Sequence, residues 1–135
     1  MLIGCISKFP SHTLLTVSDK ASVKQELTPI FESFRQQLDR VFAGGNTAVY
    51  DALDAARRML MSYRSDLPLL RKRIIIVTDG SDTGSEASAR DVCHSLQKNS
   101  IVVDSVQVGN RSDNTLHAIS VATGARRSVE EIFAI

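Results

Sequence analysis

An unbroken run of four β-branched residues, Ile74-Ile75-Ile76-Val77, constrains the fold more than any other feature of this chain. No polar residue alternates with them, so a strand formed here carries apolar side chains on both of its faces. Such a strand is typical of the interior of a parallel sheet. The run ends in a polar loop from Thr78 to Ser85. Because ligands of open parallel sheets bind beyond the carboxyl ends of the strands, this loop is a candidate functional segment.

The elements that follow the run alternate in type. A helical pattern is predicted around Val92, a strand over 101–108, and a helix capped by Asp113 and ended by Gly124. This order predicts an α/β fold: a doubly wound, mostly parallel sheet with helices on both faces and one antiparallel edge strand. With 135 residues the chain has the size of one domain, which we place at 1–135.

The first third of the chain gives a less regular pattern. Leu2–Ser7 is predicted as a buried strand and His12–Val17 as its antiparallel neighbour, because the connection is short. A helical region interrupted at Pro29 is predicted from apolar residues three and four apart, namely Val23, Leu27, Ile30, Phe31, Phe34, Leu38 and Val41. Near the carboxyl terminus, residues 128–131 form a capping box that predicts a last helix reaching Ile135.

Composition argues against several classes of function. The formal net charge is +1, which gives no electrostatic basis for binding nucleic acid or an anionic membrane. Cys5 and Cys93 lie in apolar patterns without a secretion signal, which predicts free thiols and a cytoplasmic location. The three histidines lack the spacing of metal ligands, and no glycine-rich nucleotide-binding loop is present.

Two polar segments are predicted to meet at the carboxyl edge of the sheet. One comprises residues 44–47 before a helix that opens at Thr47, and the other is the segment 78–81 after the apolar strand. Their hydroxyl and carboxylate oxygens are ligands that magnesium or calcium prefers. The same residues are also ordinary turn formers, so the residues by themselves leave both interpretations open.

Together, residues 44–53 (GGNTAVYDAL) and 74–80 (IIIVTDG) resemble the middle of a von Willebrand factor A domain, a Rossmann-like fold. The resemblance implies a non-enzymatic protein-interaction module with a metal ion-dependent adhesion site that holds Mg²⁺ or another divalent cation. It further implies Thr47 as one metal ligand and Asp79 as another, often through water. An acidic residue of the protein partner would then complete the coordination.

One part of the family pattern is absent. No Asp-x-Ser-x-Ser loop precedes Thr47, and Met1 stands at what resembles the family's second strand. The family's opening strand lies between its second and fourth strands. We therefore expect a partial domain with two unpaired strand edges, weak metal binding and oligomerisation through those edges. The alternatives are that the chain belongs to a longer protein, that the sheet closes over the gap, or that another chain fills it.

Three other interpretations start from the same loop. In the first, residues 79–83 are the family's first metal loop, because they read Asp-x-Ser-x-Thr. However, they follow the Gly-Gly-x-Thr segment, whereas the family's first loop precedes it. A magnesium-dependent hydrolase or phosphotransfer enzyme could use Asp79. However, its usual Asp-x-Asp-x-Thr motif is not matched, because the second aspartate, Asp82, lies three positions after Asp79 instead of two. The last interpretation is a structural fragment without a retained site.

Overall fold

The computed structural model describes residues 2–7, 12–17, 21–28, 30–40, 47–62, 72–108, 113–125 and 129–130. They form six strands and four helices in a mixed order. The elements are β1 (Leu2–Ser7), β2 (His12–Val17), β3 (Ala21–Thr28), α1 (Phe31–Leu38), α2 (Val49–Ser62), β4 (Lys72–Thr78), α3 (Ala89–Lys98), β5 (Ile101–Gln107), α4 (Asn114–Ala122) and β6 (Val129–Glu130).

All six strands belong to one sheet, in the order β3-β2-β1-β4-β5-β6. The apolar strand β4 lies inside the sheet, between β1 and β5, as its composition predicts. It pairs in parallel with β5, and β5 pairs in parallel with β6. These observations confirm the α/β class.

Antiparallel pairing extends much further than one edge strand. The pairs β1–β2, β2–β3 and β1–β4 are all antiparallel, so the parallel part of the sheet is limited to β4, β5 and β6. The expectation of a mostly parallel sheet is therefore corrected for the amino-terminal half. Only four residues separate β1 from β2 and only three separate β2 from β3, and connections this short join antiparallel neighbours.

The predicted gap in the sheet does not exist. β1 pairs with β2 from Leu2 to Ile6 and with β4 from Leu2 to Ser7. The strand therefore fills the position between β2 and β4, and the backbone groups of both neighbours find partners there. The expectation of two unpaired edges at this point is wrong, because the sheet closes with the chain's own first strand.

Two predicted helical segments are strands instead. Residues 21–28 form β3, paired to β2 with Val23 opposite Leu15, and helix α1 covers only Phe31–Leu38. Val129 and Glu130 form the short strand β6 beside Val106 and Gln107, where a helix start was predicted. In both places pairing with a neighbouring strand outweighs the local signal, which is apolar spacing in the first segment and a capping box in the second.

The core lies between the sheet and helices α2, α3 and α4. Helix α2 buries one face, formed by Val49, Ala52, Leu53, Ala56 and Leu60. Further fully or almost fully buried side chains are Ile74, Ile76, Val92, Leu96, Ile101, Val103, Leu116 and Ile119. An ion pair lies on the outer side of α2, with Arg58 at 2.9 Å from Asp54. Among the described helices, none has the length and apolar character needed to cross a bilayer.

Candidate functional site

Helix α2 begins without a capping side chain of its own. The residue before it is Ala48, which has no side-chain oxygen, although Thr47 was expected to open the helix. The free N–H groups of the first turn are satisfied from the loop after β4. Val49 donates to Asp82 Oδ1 at 2.7 Å, and Tyr50 donates to Ser85 Oγ at 2.9 Å. The loop therefore supplies the cap that the local sequence lacks.

Helix α2 binds the loop in return. The carboxylate of Asp51 accepts the N–H groups of Glu86 at 3.0 Å and Ala87 at 2.8 Å, just before α3. Ahead of the helix, the Thr47 N–H donates to Thr83 Oγ1 at 3.0 Å, and the Thr83 N–H donates to the Thr47 carbonyl at 2.9 Å. The amino terminus of α2 and the segment 82–87 are thus joined by hydrogen bonds in both directions.

Asp113 connects helix α4 to the same loop. Its Oδ1 accepts the N–H groups of Thr115 at 2.9 Å and Leu116 at 3.0 Å, which confirms the predicted cap. Its Oδ2 accepts the Asp82 N–H at 3.3 Å. The side-chain amide of Gln107, at the end of β5, also donates to the Asp113 carbonyl at 3.2 Å. The loop after β4 is therefore held by α2 and by the cap of α4, and β5 in turn holds that cap through Gln107.

Tyr50 lies where these elements meet. Partial burial of its phenol raises its pKa above the ordinary value of 10.0, and the nearby Asp113 carboxylate raises that pKa further. A hydrogen bond with the side chain of Thr115 acts in the opposite direction, and Asp82 adds a smaller increase. Both carboxylates raise the pKa because their negative charges disfavour the nearby negative charge of a phenolate.

The two residues predicted as metal ligands flank this junction. Thr47 precedes α2 and is half-buried, whereas Asp79 follows β4 and is exposed. The hydroxyl of buried Thr78 closes the turn by bonding to the carbonyl of Gly80 at 2.8 Å. Within the part of the chain that the structure describes, no hydrogen bond or ion pair joins Asp79 to another residue, including Thr47.

The donors present do not fit a complete divalent-cation site. Among the described residues, no group of three or more histidine, cysteine, aspartate or glutamate side chains could hold a metal ion. Asp82 and Asp51, two further carboxylates near this junction, already accept backbone N–H groups. The hydroxyl of Thr47 and the carboxylate of Asp79 remain, which is far below the six oxygens that magnesium requires.

The direction of β1 determines where a loop that follows this strand lies relative to Asp79. Leu2 lies opposite Val77, while Ser7 lies opposite Lys72 at the other end of β4. The carboxyl end of β1 is therefore at the far edge of the sheet from Asp79. A loop that follows β1 cannot place an Asp-x-Ser-x-Ser motif beside Thr47 and Asp79.

Sequence reasoning did not identify the loop residues that cap α2. In the sequence, Asp82 is interpreted only within the motifs that include Asp79, and Ser85 only as the end of the polar loop. The available signal was Ala48, because a helix that begins after alanine needs its cap from elsewhere in the fold. Asp82 and Ser85 are typical capping residues, but nothing in the local spacing connects them to a helix more than 30 positions earlier.

Comparison with known proteins agrees with this geometry. The family model of the von Willebrand factor type A domain matches residues 7–133. The chain belongs to this family. Domains of this type are generally protein-interaction modules, and they bind a divalent metal at the adhesion site. The match begins at Ser7, so Leu2 to Ile6 of β1 lie before it.

Solved structures of von Willebrand factor type A domains share the fold. One is a domain from Catenulispora acidiphila, with a TM-score of 0.67 and 24% identity over 82% of this chain and 27% of that chain. Another is proximal thread matrix protein 1 of the mussel byssus with a zinc-occupied MIDAS motif, the metal ion-dependent adhesion site. Its TM-score is 0.65 at 22% identity, covering 80% of this chain and 27% of that chain.

A curated relative comes from Acanthamoeba polyphaga mimivirus and is described as a probable bifunctional E2/E3 enzyme. It is 32% identical over 114 residues, which cover 82% of this chain but only 9% of the viral protein. The chain therefore spans less than a tenth of that relative, and the similarity concerns the domain alone.

Proposed function

We propose that this domain is a non-enzymatic protein-interaction module whose contact face is the carboxyl end of β4 together with the amino terminus of α2. The observation that carries the proposal is the state of Asp79. This carboxylate is exposed, while the loop that bears it is fixed to α2 and α4 through Asp82 and Asp113. A charged group on a fixed loop loses little conformational freedom when a partner binds.

Thr47 and Asp79 are the groups we assign to a shared cation, Mg²⁺ or another divalent ion. When bound, such an ion would supply positive charge that attracts a carboxylate of the partner. Two protein oxygens hold it weakly, so the partner or another protein segment must provide further ligands. An acidic residue of the partner has the chemistry to do so.

The surroundings of Asp79 support a binding role instead of catalysis. The residues on either side of it in the chain are Thr78 and Gly80, and neither is a general acid or base. The Thr78 hydroxyl is hydrogen-bonded to Gly80. Asp82 serves as a helix cap. The E2/E3 activity named for the mimivirus protein belongs to a chain of which this domain matches 9%.

We also propose an intracellular location for the domain. Cys93 is a free cysteine, and burial raises the pKa of its thiol. Free thiols persist in reducing compartments. Rapid oxidation of Cys93 in the folded protein, seen by mass spectrometry under a reducing glutathione buffer, would contradict this placement.

Selection from a displayed peptide library tests the contact face. The domain is immobilised with magnesium present, and binders are sorted against the Thr47→Ala and Asp79→Ala variants. We expect binders whose affinity falls about tenfold or more with Asp79→Ala, equal to about 1.4 kcal/mol. The matched control is Glu32→Gln, an exposed carboxylate in the first turn of α1, which should bind like the wild type. Binders whose affinity is unchanged in both Thr47→Ala and Asp79→Ala would place the contact face elsewhere.

A phosphatase assay tests the proposed absence of catalysis. Hydrolysis of p-nitrophenyl phosphate is measured with magnesium and with EDTA, and we expect no turnover above that of the buffer. Turnover that depends on magnesium and disappears in Asp79→Ala would show an enzyme of the aspartate-nucleophile type.

A further inference from the structure

Two carboxylates at this edge of the sheet, those of Asp82 and Asp51, are occupied by hydrogen-bond donors of the protein. Asp82 Oδ1 accepts the Val49 N–H at 2.7 Å and also the Ser85 hydroxyl, while its Oδ2 accepts the Ser85 N–H at 3.3 Å. Asp51 uses both oxygens, Oδ2 for Glu86 and Oδ1 for Ala87. Neither side chain has an oxygen without a hydrogen-bond donor.

The partners of these carboxylates carry partial positive charge. Val49 and Tyr50 belong to the first turn of α2, and their N–H groups form the positive end of the helix dipole. Glu86 and Ala87 stand immediately before α3. The negative charge of Asp82 therefore meets a helix amino terminus, and a cation is not needed to balance it there.

We infer that Asp82, Asp51 and Ser85 dock the β4–α3 loop on helix α2 in place of a divalent cation, so that this edge of the domain is fully formed without metal. We call these three side chains the carboxylate clasp. The inference does not depend on the proposed partner binding. The surface around Asp79 is already assembled, and a cation, where one binds, adds to this edge but does not build it.

Thermal unfolding of the 135-residue chain tests the carboxylate clasp. Melting curves are recorded with excess EDTA and with excess magnesium chloride. We expect the two midpoints to agree within about 1 °C, because a ligand that binds weakly adds little to the free energy of unfolding. Asp82→Asn and Asp51→Asn should each lower the midpoint by about 4 °C through loss of a charged acceptor of backbone N–H groups.

Asp79→Asn is the matched control, since it removes a carboxylate from the same loop without touching the carboxylate clasp. We expect its midpoint to stay within about 1 °C of the wild type in both buffers. A wild-type midpoint that rises by several degrees with magnesium, and loses that rise in Asp79→Asn, would overturn the inference. Equal midpoints for Asp82→Asn and Asp79→Asn would overturn it as well.

Hydrogen exchange gives a second test that needs no variant. In EDTA, the amides of Val49, Tyr50, Glu86 and Ala87 should exchange as slowly as they do in magnesium, because their acceptors are part of the protein. Fast exchange of these four amides in EDTA, with protection restored by magnesium, would show that the metal forms the edge. Neither measurement involves a partner, so a failed peptide selection leaves this result unaffected.

Discussion

At the scale of single residues, the acidic side chains around the carboxyl end of β4 divide into two groups. Asp51, Asp82 and Asp113 accept backbone N–H groups and hold three segments together. Asp79 is exposed and bonds to none of the described residues. A hydrogen bond to a charged group contributes about 1.5 to 3 kcal/mol, so the first group stabilises the fold. Of these four aspartates, only Asp79 is available to an external ligand.

This division predicts weak binding of magnesium. Thr47 contributes a neutral hydroxyl and Asp79 a single charge, and magnesium gives up its hydration water reluctantly. Calorimetric titration of the wild-type chain with magnesium should therefore show no saturable binding when the magnesium concentration is comparable to the protein concentration. Tight stoichiometric binding that is abolished by Asp79→Ala would contradict this, because it would show a complete site without the absent first loop.

Tyr50 predicts a loss of stability at alkaline pH. Its pKa is raised in the folded state, so around pH 10.0, where half of the unfolded chains have lost the phenol proton, the folded protein retains more of it. The contribution of Tyr50 is fully present below the unfolded pKa and is lost as the pH rises through the folded pKa. Wild type and Tyr50→Phe should therefore differ in pH dependence only above about pH 10.

Ultraviolet titration measures this directly. The chain has two tyrosines and no tryptophan, so in the Tyr63→Phe variant Tyr50 is the only residue whose phenol absorbs. We expect a phenolate midpoint above 10.0 in the folded protein and an ordinary midpoint in denaturant. Coincidence of the two midpoints would disprove the shift.

At the scale of elements, the sequence predicts the helices and strands that depend on local patterns. The unbroken apolar run locates β4, the residues three and four apart locate α2 and α3, and Asp113 locates the start of α4. The segment 21–28 is different, because its apolar residues fit a helical spacing but pair with β2 in the fold. The cap of α2 could not be predicted either, since Asp82 and Ser85 reach it through folding and not through proximity in the chain.

Strand β4 gives a prediction of stability with a control in the same strand. Ile76 is fully buried, whereas the adjacent Ile75 is only half-buried. Ile76→Ala should lower the free energy of unfolding by about 2 to 5 kcal/mol, through lost burial and the cavity left behind. Ile75→Ala removes the same atoms from a wetter position and should cost clearly less. Equal losses in urea denaturation would mean that the two faces of β4 are buried alike.

At the scale of the whole molecule, the family and the parallel half of the sheet follow from the sequence, but the direction of β1 does not. The resemblance places the family's opening strand between the second and fourth strands, and Leu2–Ser7 occupies that position. Its direction is fixed by the four-residue connection to β2, which requires antiparallel pairing. A strand reversed in this position closes the sheet, and the loop that follows it lies at the opposite end of β4 from Asp79.

The last prediction concerns this closure. Because β1 pairs on both sides, the chain should unfold in one cooperative transition whose midpoint does not depend on protein concentration. Gly4 lies between Leu14 and Ile75, and proline there removes an N–H donor inside the sheet. Gly4→Pro should lower the free energy of unfolding by at least about 2 kcal/mol, a large part of the 5 to 15 kcal/mol typical of a domain. Ser88→Pro is the control, because its φ of −73° already suits proline outside any strand. A concentration-dependent midpoint, or equal stability of the two proline variants, would show that β1 does not hold the sheet closed.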